Sequence, residues 1–198
     1  MSSAAAQLPP RPTALAHVLL RELIRAGDLV IDATAGNGHD TRFLAEVVGD
    51  SGRVLAFDIQ AAAIAAARAR VASCGWLERV VFRHLSHALL ADHAAAETVT
   101  AVMFNLGYLP GDARLVMTDT ATTLQSLAAA ATVLKPGGAL TVVCYPGHDG
   151  GAAEAAAAEA WFAAMAAEGW HVAKYGAFAT RRPAPFLLVG AKGATAQP

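Results

Sequence analysis

The sequence predicts a single doubly wound α/β domain with a mostly parallel sheet, and three observations predict it. Short apolar runs alternate with helical stretches from one end of the chain to the other. A glycine turn, Gly36-Asn37-Gly38, joins the first apolar run to the helix behind it. The last two runs, at 171–178 and 185–191, lack an intervening helix and read as a closing antiparallel pair. A chain of 198 residues can bury one full core, and neither an internal repeat nor a long linker divides it.

The elements follow in order. Residues 1–12, rich in Ala, Ser and Pro, read as a disordered leader, without the cationic segment and apolar run of a signal peptide. The domain is expected over 13–198. A first helix covers 13–25 and stops near Gly27, and the first strand is 29–34. A helix carrying Thr41, Phe43, Leu44 and Val47 ends at Gly49, Asp50 and Gly52. The second strand is 54–58, followed by an Ala- and Arg-rich helix over 60–73 closed by Gly75. Strands at 80–84 and 101–106, a helix at 118–134, a Lys135-Pro136-Gly137-Gly138 turn and a strand at 139–145 come next. A second Ala-rich helix, 152–168, packs through Trp161, Phe162 and Met165.

Composition narrows the function classes. The chain is 55% hydrophobic, much of it alanine, but no run of about 20 apolar residues is free of charge, so a membrane span is not expected. Two cysteines, Cys74 and Cys144, make no disulfide framework, and a reducing cytoplasm is the expected compartment. At a net charge of −1, any nucleic-acid contact must use a local patch.

The strand ending in Asp32, the glycine turn and the next helix form an adenosine-cofactor loop. Glycines let the backbone approach a ligand, and the helix presents free N–H groups. Position 41 is Thr where a dinucleotide fingerprint has its third glycine, and Asp32 suits a cationic aminoacyl group better than a pyrophosphate. Thr34, Gly36, Asn37, Gly38, Asp40 and Thr41 join Asp32 in this set. Asp58, at the end of the second strand, can accept both ribose hydroxyls, with Ile59 against the adenine and Gln60 beside it. Ser86 and His87 follow the third strand, where an adenine amino group would be contacted.

The fourth strand runs into Asn105-Leu106-Gly107-Tyr108-Leu109-Pro110, at the carboxyl edge where open parallel sheets bind ligands. Methyltransferases acting on amino nitrogens resemble one another at this position. The Asn105 side-chain oxygen and the Leu106 carbonyl can accept from an amine and aim its lone pair, while Tyr108 can stack on a base. Asn105 and Leu106 also border the cofactor. Tyr145-Pro146-Gly147-His148-Asp149-Gly150-Gly151 enters the same crevice, with Tyr145 and Gly107 as substrate contacts and His148 as a general base or an orienting group. His84, His87 and His93 do not repeat a metal-ligand spacing and no metal is expected. Arg181 and Arg182 can line a phosphate path, as can Lys174, Arg11, Arg21 and Arg25.

The segments DATAGNGHDTRFLA (32–45), FDIQ (57–60), NLGYLPGD (105–112) and YPGHDGG (145–151) resemble those of a small bacterial family of tRNA wobble-uridine methyltransferases, earlier labelled rRNA methylases. Thr13, His17, LSH (85–87), LKPGG (134–138) and PFLLV (185–189) extend the resemblance over nearly all of the chain from Thr13 onward. It implies a Rossmann-like class I methyltransferase domain with strand order 3-2-1-4-5-7-6 and S-adenosyl-L-methionine as cofactor. The implied substrate is 5-aminomethyl-2-thiouridine in a tRNA anticodon stem-loop, methylated to 5-methylaminomethyl-2-thiouridine. The chain departs from the family in having only Gly111 before Asp112. It also has Thr180-Arg181-Arg182-Pro183-Ala184-Pro185 where the family favours Asn residues ahead of a Pro-Pro pair. Methylation of another amine and a NAD-linked or silent adenosine-binding module stay open as alternatives, as does a homodimer.

Overall fold

The computed structural model describes residues 9–107 and 120–193. Its strands are β1 (Leu29–Asp32), β2 (Arg53–Asp58), β3 (Val80–His84), β4 (Val99–Leu106), β5 (Leu134–Cys144), β6 (His171–Gly176) and β7 (Phe186–Ala191). They form one sheet in the order β3-β2-β1-β4-β5-β7-β6, with β7 antiparallel to both β5 and β6. The helices are α1 (Pro12–Leu23), α2 (His39–Val48), α3 (Ala61–Ala72), α4 (Thr120–Val133) and α5 (Gly151–Ala167).

The central strands are continuously apolar because both faces of the sheet are covered. Period-two alternation divides each run between two cores. Ile31, Leu55, Phe57, Val102 and Phe104 face one side with Leu127 and Ala130 of α4 and Ala158 and Phe162 of α5. Val30, Val54, Ala56, Ala101 and Met103 face the other with Ala16 and Leu20 of α1, Phe43 and Leu44 of α2, and Ala67 and Val71 of α3.

Differences from the sequence expectation are confined to element ends and loops. β1 leaves the sheet at Asp32 rather than at 34, because the Thr34 N–H turns to Asp32 Oδ1 (3.1 Å). The expected turn at 135–138 is a bulge inside β5: pairing runs Val99↔Leu134 and then Ala101↔Ala139. Gly137 takes φ +77° there and its N–H donates to the Lys192 carbonyl (2.9 Å). Two short 3-10 turns, Leu77–Arg79 and His87–Asp92, were not anticipated. α1 begins at Pro12, a residue suited to a first helical position. Just ahead of it, the Pro10 carbonyl accepts from the Tyr175 hydroxyl (2.8 Å), tying the described part of the expected leader to β6. Among the described residues no helix is long and apolar enough to cross a membrane.

Candidate active site

The parallel order brings the carboxyl ends of β1, β2 and β4 together, and the loops leaving them interlock. Ala33 N–H donates to the Met103 carbonyl (2.8 Å) and Ala35 N–H to the Phe57 carbonyl (2.8 Å), pinning the glycine turn to both neighbouring strands. Asp58 uses one oxygen for the Gly36 N–H (2.9 Å) and the other for the Gln60 N–H (2.9 Å). Each carboxylate oxygen accepts more than one hydrogen bond, so acceptor capacity remains for a ribose diol. Ile59 beside it is 46% exposed, an apolar face in the right place for an adenine. Arg70 Nε donates to the Asn37 carbonyl (2.6 Å) and fixes the tip of the turn.

Gly38 has φ +75°, and a Cβ there would lie 2.5 Å from the Ala67 Cα of α3. Left-handed backbone and a rigid neighbour both exclude a side chain. Gly38→Ala is expected to cost about 2 kcal/mol or more, lowering Tm by about 5 °C together with cofactor affinity; an unchanged melting curve would show that the turn yields freely.

Asp32 is fully buried beneath this turn. Thr41 donates to its Oδ2 (2.5 Å) and Thr34 N–H to its Oδ1. Asp32 and Thr41, both expected at the cofactor, thereby brace the loop from below. Desolvation, reinforced by the Asp40 carboxylate, pushes the Asp32 carboxyl up to about 7. Between the ordinary carboxylate range and about 7, the native protein keeps a proton that the unfolded chain has lost. The contribution of Asp32 to stability therefore falls as pH rises through that window. Asp32→Asn, which cannot titrate, should gain on the wild type between pH 5 and pH 7.5 in urea melts. A stability difference independent of pH would mean that native Asp32 is ionised throughout.

The reactive corner is wired to the same loop. Asn105 N–H donates to Thr34 Oγ1 (2.7 Å), and Asn105 Nδ2 donates to Asp40 Oδ2 (3.2 Å). The other Asp40 oxygen accepts from His17 Nε2 (2.6 Å), whose ring stacks on Phe43 at 4.0 Å and 7°. With its NH₂ committed to Asp40, the Asn105 amide keeps its oxygen as the acceptor. Tyr145 closes the corner: a Cβ on Gly107 would lie 3.3 Å from its ring. Burial raises the Tyr145 phenol, and the Asp40 carboxylate raises it further while Asn105 opposes them.

Residues 54–191 match the family model described as "Putative rRNA methylase". The chain belongs to this family. It is 37% identical over 174 residues to a tRNA (mnm5s2U34)-methyltransferase, chloroplastic, of Arabidopsis thaliana, covering 83% of this chain and 64% of that relative, so it spans under two thirds of the relative's length. A solved structure from Clostridium thermocellum, described as a "putative rRNA-methylase", superposes with TM-score 0.89 at 33% identity, covering 94% of this chain and all of that one. SMU.1697c of Streptococcus mutans, described as a "putative methyltransferase" and solved in complex with SAH, gives TM-score 0.84 at 29% identity over 93% of this chain and 99% of that one.

Within this family fold, the remaining expected site residues fall as follows. Ser86 caps the 3-10 turn that follows β3, accepting from Ala88 N–H (3.2 Å). His87 is buried and donates from Nδ1 to the Ala33 carbonyl (3.1 Å), while its Nε2 has no partner among the described residues. Desolvation keeps this imidazole neutral by lowering its affinity for a proton. His148 donates from Nδ1 to the Asp149 carbonyl (2.9 Å), and its Nε2 is buried, 2.7 Å from where a Gly151 Cβ would stand. The ring is thus folded over its own loop at the start of α5. Arg181 and Arg182 are exposed in the β6–β7 loop. Tyr108, Gly111 and Asp112 lie outside the described residues.

Two residues escaped the sequence reading as site members. His17 stands beside Ala16 and Leu20 on the buried stripe of α1; its place in the family resemblance and a lone imidazole on such a stripe were its signals. Arg70 had none, since a last-turn arginine is ordinary for a surface helix. Among the described residues no group of three or more His, Cys, Asp or Glu is placed to hold a metal ion.

Proposed function

We propose that this chain is an S-adenosylmethionine-dependent methyltransferase acting on RNA, and that its acceptor is the aminomethyl nitrogen of 5-aminomethyl-2-thiouridine at the tRNA wobble position. The observation that carries the acceptor class is Asn105, whose NH₂ is held by Asp40 so that its oxygen is left to accept from an amine. The substrate identity is supported by the Arabidopsis relative's specificity.

The residues present fit the cofactor. Asp58 would take the ribose hydroxyls, Ile59 the adenine face, and the unpartnered buried Nε2 of His87 can accept from an adenine amino group. When bound, S-adenosylmethionine supplies an electrophilic methyl on sulfur. The chain's own work is positional. The Asn105 oxygen and the Leu106 carbonyl accept the amine hydrogens, directing the nitrogen lone pair. An aliphatic amine arrives largely protonated and loses that proton to solvent before attack; the neutral nitrogen then takes the methyl from sulfur and leaves as the methylammonium. His148, whose Nδ1 donates to the Asp149 carbonyl, holds the 145–151 loop at the start of α5 and faces the crevice as a base or an orienting group.

The reading is tested by mass spectrometry of wobble nucleosides after undermodified tRNA is incubated with the protein and S-adenosylmethionine. The expected product is 5-aminomethyl-2-thiouridine heavier by one CH₂. Methylation of another RNA, with that nucleoside untouched, would replace the substrate. Tight NADH binding without affinity for S-adenosylhomocysteine would overturn the cofactor.

A further inference from the structure

Phe178 is 97% exposed, far beyond Val18 at 58%, the next most exposed of the large apolar side chains among the described residues. It sits in the loop 177–185 between β6 and β7, followed by Ala179 at φ +54° and by the exposed pair Arg181 and Arg182. No carboxylate lies in that loop, and neither arginine is ion-paired among the described residues.

Strand register places the loop at the reactive corner. Leu106 pairs with Cys144, Cys144 with Phe186 and Phe186 with Gly176. The loop therefore leaves the sheet at the same edge as Asn105 and Tyr145, two strand spacings from β4 at its β7 end and three at its β6 end, or about 10–14 Å. The Pro183 carbonyl lies 3.4 Å from where a Gly147 Cβ would stand, so the loop abuts the 145–151 segment.

We infer that Phe178 is a stacking platform for an unpaired RNA base next to the methylated nucleotide, with Arg181 and Arg182 gripping the phosphates beside it. This rests on the RNA reading above. A flat apolar ring held in water beside two unpaired guanidinium groups has the chemistry of single-stranded nucleic-acid sites, where aromatic rings take bases and cations track the backbone. Two uncompensated cations fit a polyanion better than they fit an apolar protein surface. One base stacked on the ring would also anchor the loop nucleotides while the target base is turned towards Asn105.

The test uses the full chain and an anticodon stem-loop oligoribonucleotide carrying the target uridine, with binding read by fluorescence anisotropy. Phe178→Ala should weaken binding about tenfold, while Phe178→Trp stays close to wild type and S-adenosylhomocysteine affinity is unchanged in both. Removing the one neighbouring base that stacks should abolish the difference between wild type and Phe178→Ala. Replacing both arginines with Ala should lower the salt slope by about 1.4. If the wild type binds and methylates the RNA but Phe178→Ala binds it equally well, the platform is overturned and the RNA reading stands. If Phe178→Ala instead dissolves a dimer at unchanged RNA affinity, the ring covers a second copy and the platform is equally overturned. If the wild type binds no RNA, both fall.

Discussion

Asn105→Ala is expected to lower the single-turnover methylation rate about 100-fold while leaving S-adenosylhomocysteine affinity within a few-fold of wild type. The Asn105 backbone N–H, which bonds Thr34 Oγ1 at 2.7 Å, survives the substitution, so the strand end and the cofactor loop stay joined. What disappears is the side-chain oxygen proposed to orient the amine, together with the 3.2 Å bond from Nδ2 to Asp40. An interaction that acts on alignment of the reacting atoms lowers turnover more than ground-state binding. Wild-type turnover in this variant would remove Asn105 from the chemistry. A matched loss of cofactor affinity would make it a cofactor ligand instead.

Asp58→Ala is expected to act in the opposite way, raising the dissociation constant for S-adenosylhomocysteine about 100-fold, since each hydrogen bond to a charged group contributes about 1.5–3 kcal/mol. Part of that loss is indirect. The same carboxylate holds the Gly36 N–H and the Gln60 N–H, each at 2.9 Å, so the variant also loosens the glycine turn. Asp58→Asn keeps one acceptor oxygen and turns the other into a donor facing a loop N–H, so it gives up one loop bond as well as ligand acceptor capacity, and should fall between wild type and Asp58→Ala in calorimetric titration. Cofactor affinity equal to wild type in Asp58→Ala, with the fold intact, would reassign the carboxylate to a purely structural cap.

The central architecture was legible because it rests on local rules. Alternating apolar runs and helices specify a parallel sheet covered on both faces, and Gly36, Gly38 and Asp58 mark the cofactor loop through backbone conformation and strand-end position. Element ends were less legible where a side chain or a distant strand intervenes. β1 stops at Asp32 because its carboxylate captures the Thr34 N–H, and the 135–138 segment stays in the sheet because Lys192 supplies its partners. Asp32 and Thr41 carried the residue types for a ligand contact, and only the structure shows that they also bond each other beneath the turn.

By itself, then, the sequence determined the layer order, through alternating apolar runs and helices, and the positions of the glycine turn and of Asn105 at strand ends, through short local motifs. The tertiary structure alone decided how that corner is held. His17, Asp40 and Asn105 are distant in the chain, yet they meet through contacts of 2.6 and 3.2 Å. The reason is that α1 packs on the same sheet face as α2, and no periodicity in the sequence encodes which side chains two packed helices bring together. The glycine turn was readable because its geometry is local; the contacts that hold the Asn105 side chain were not, because they join three separate elements.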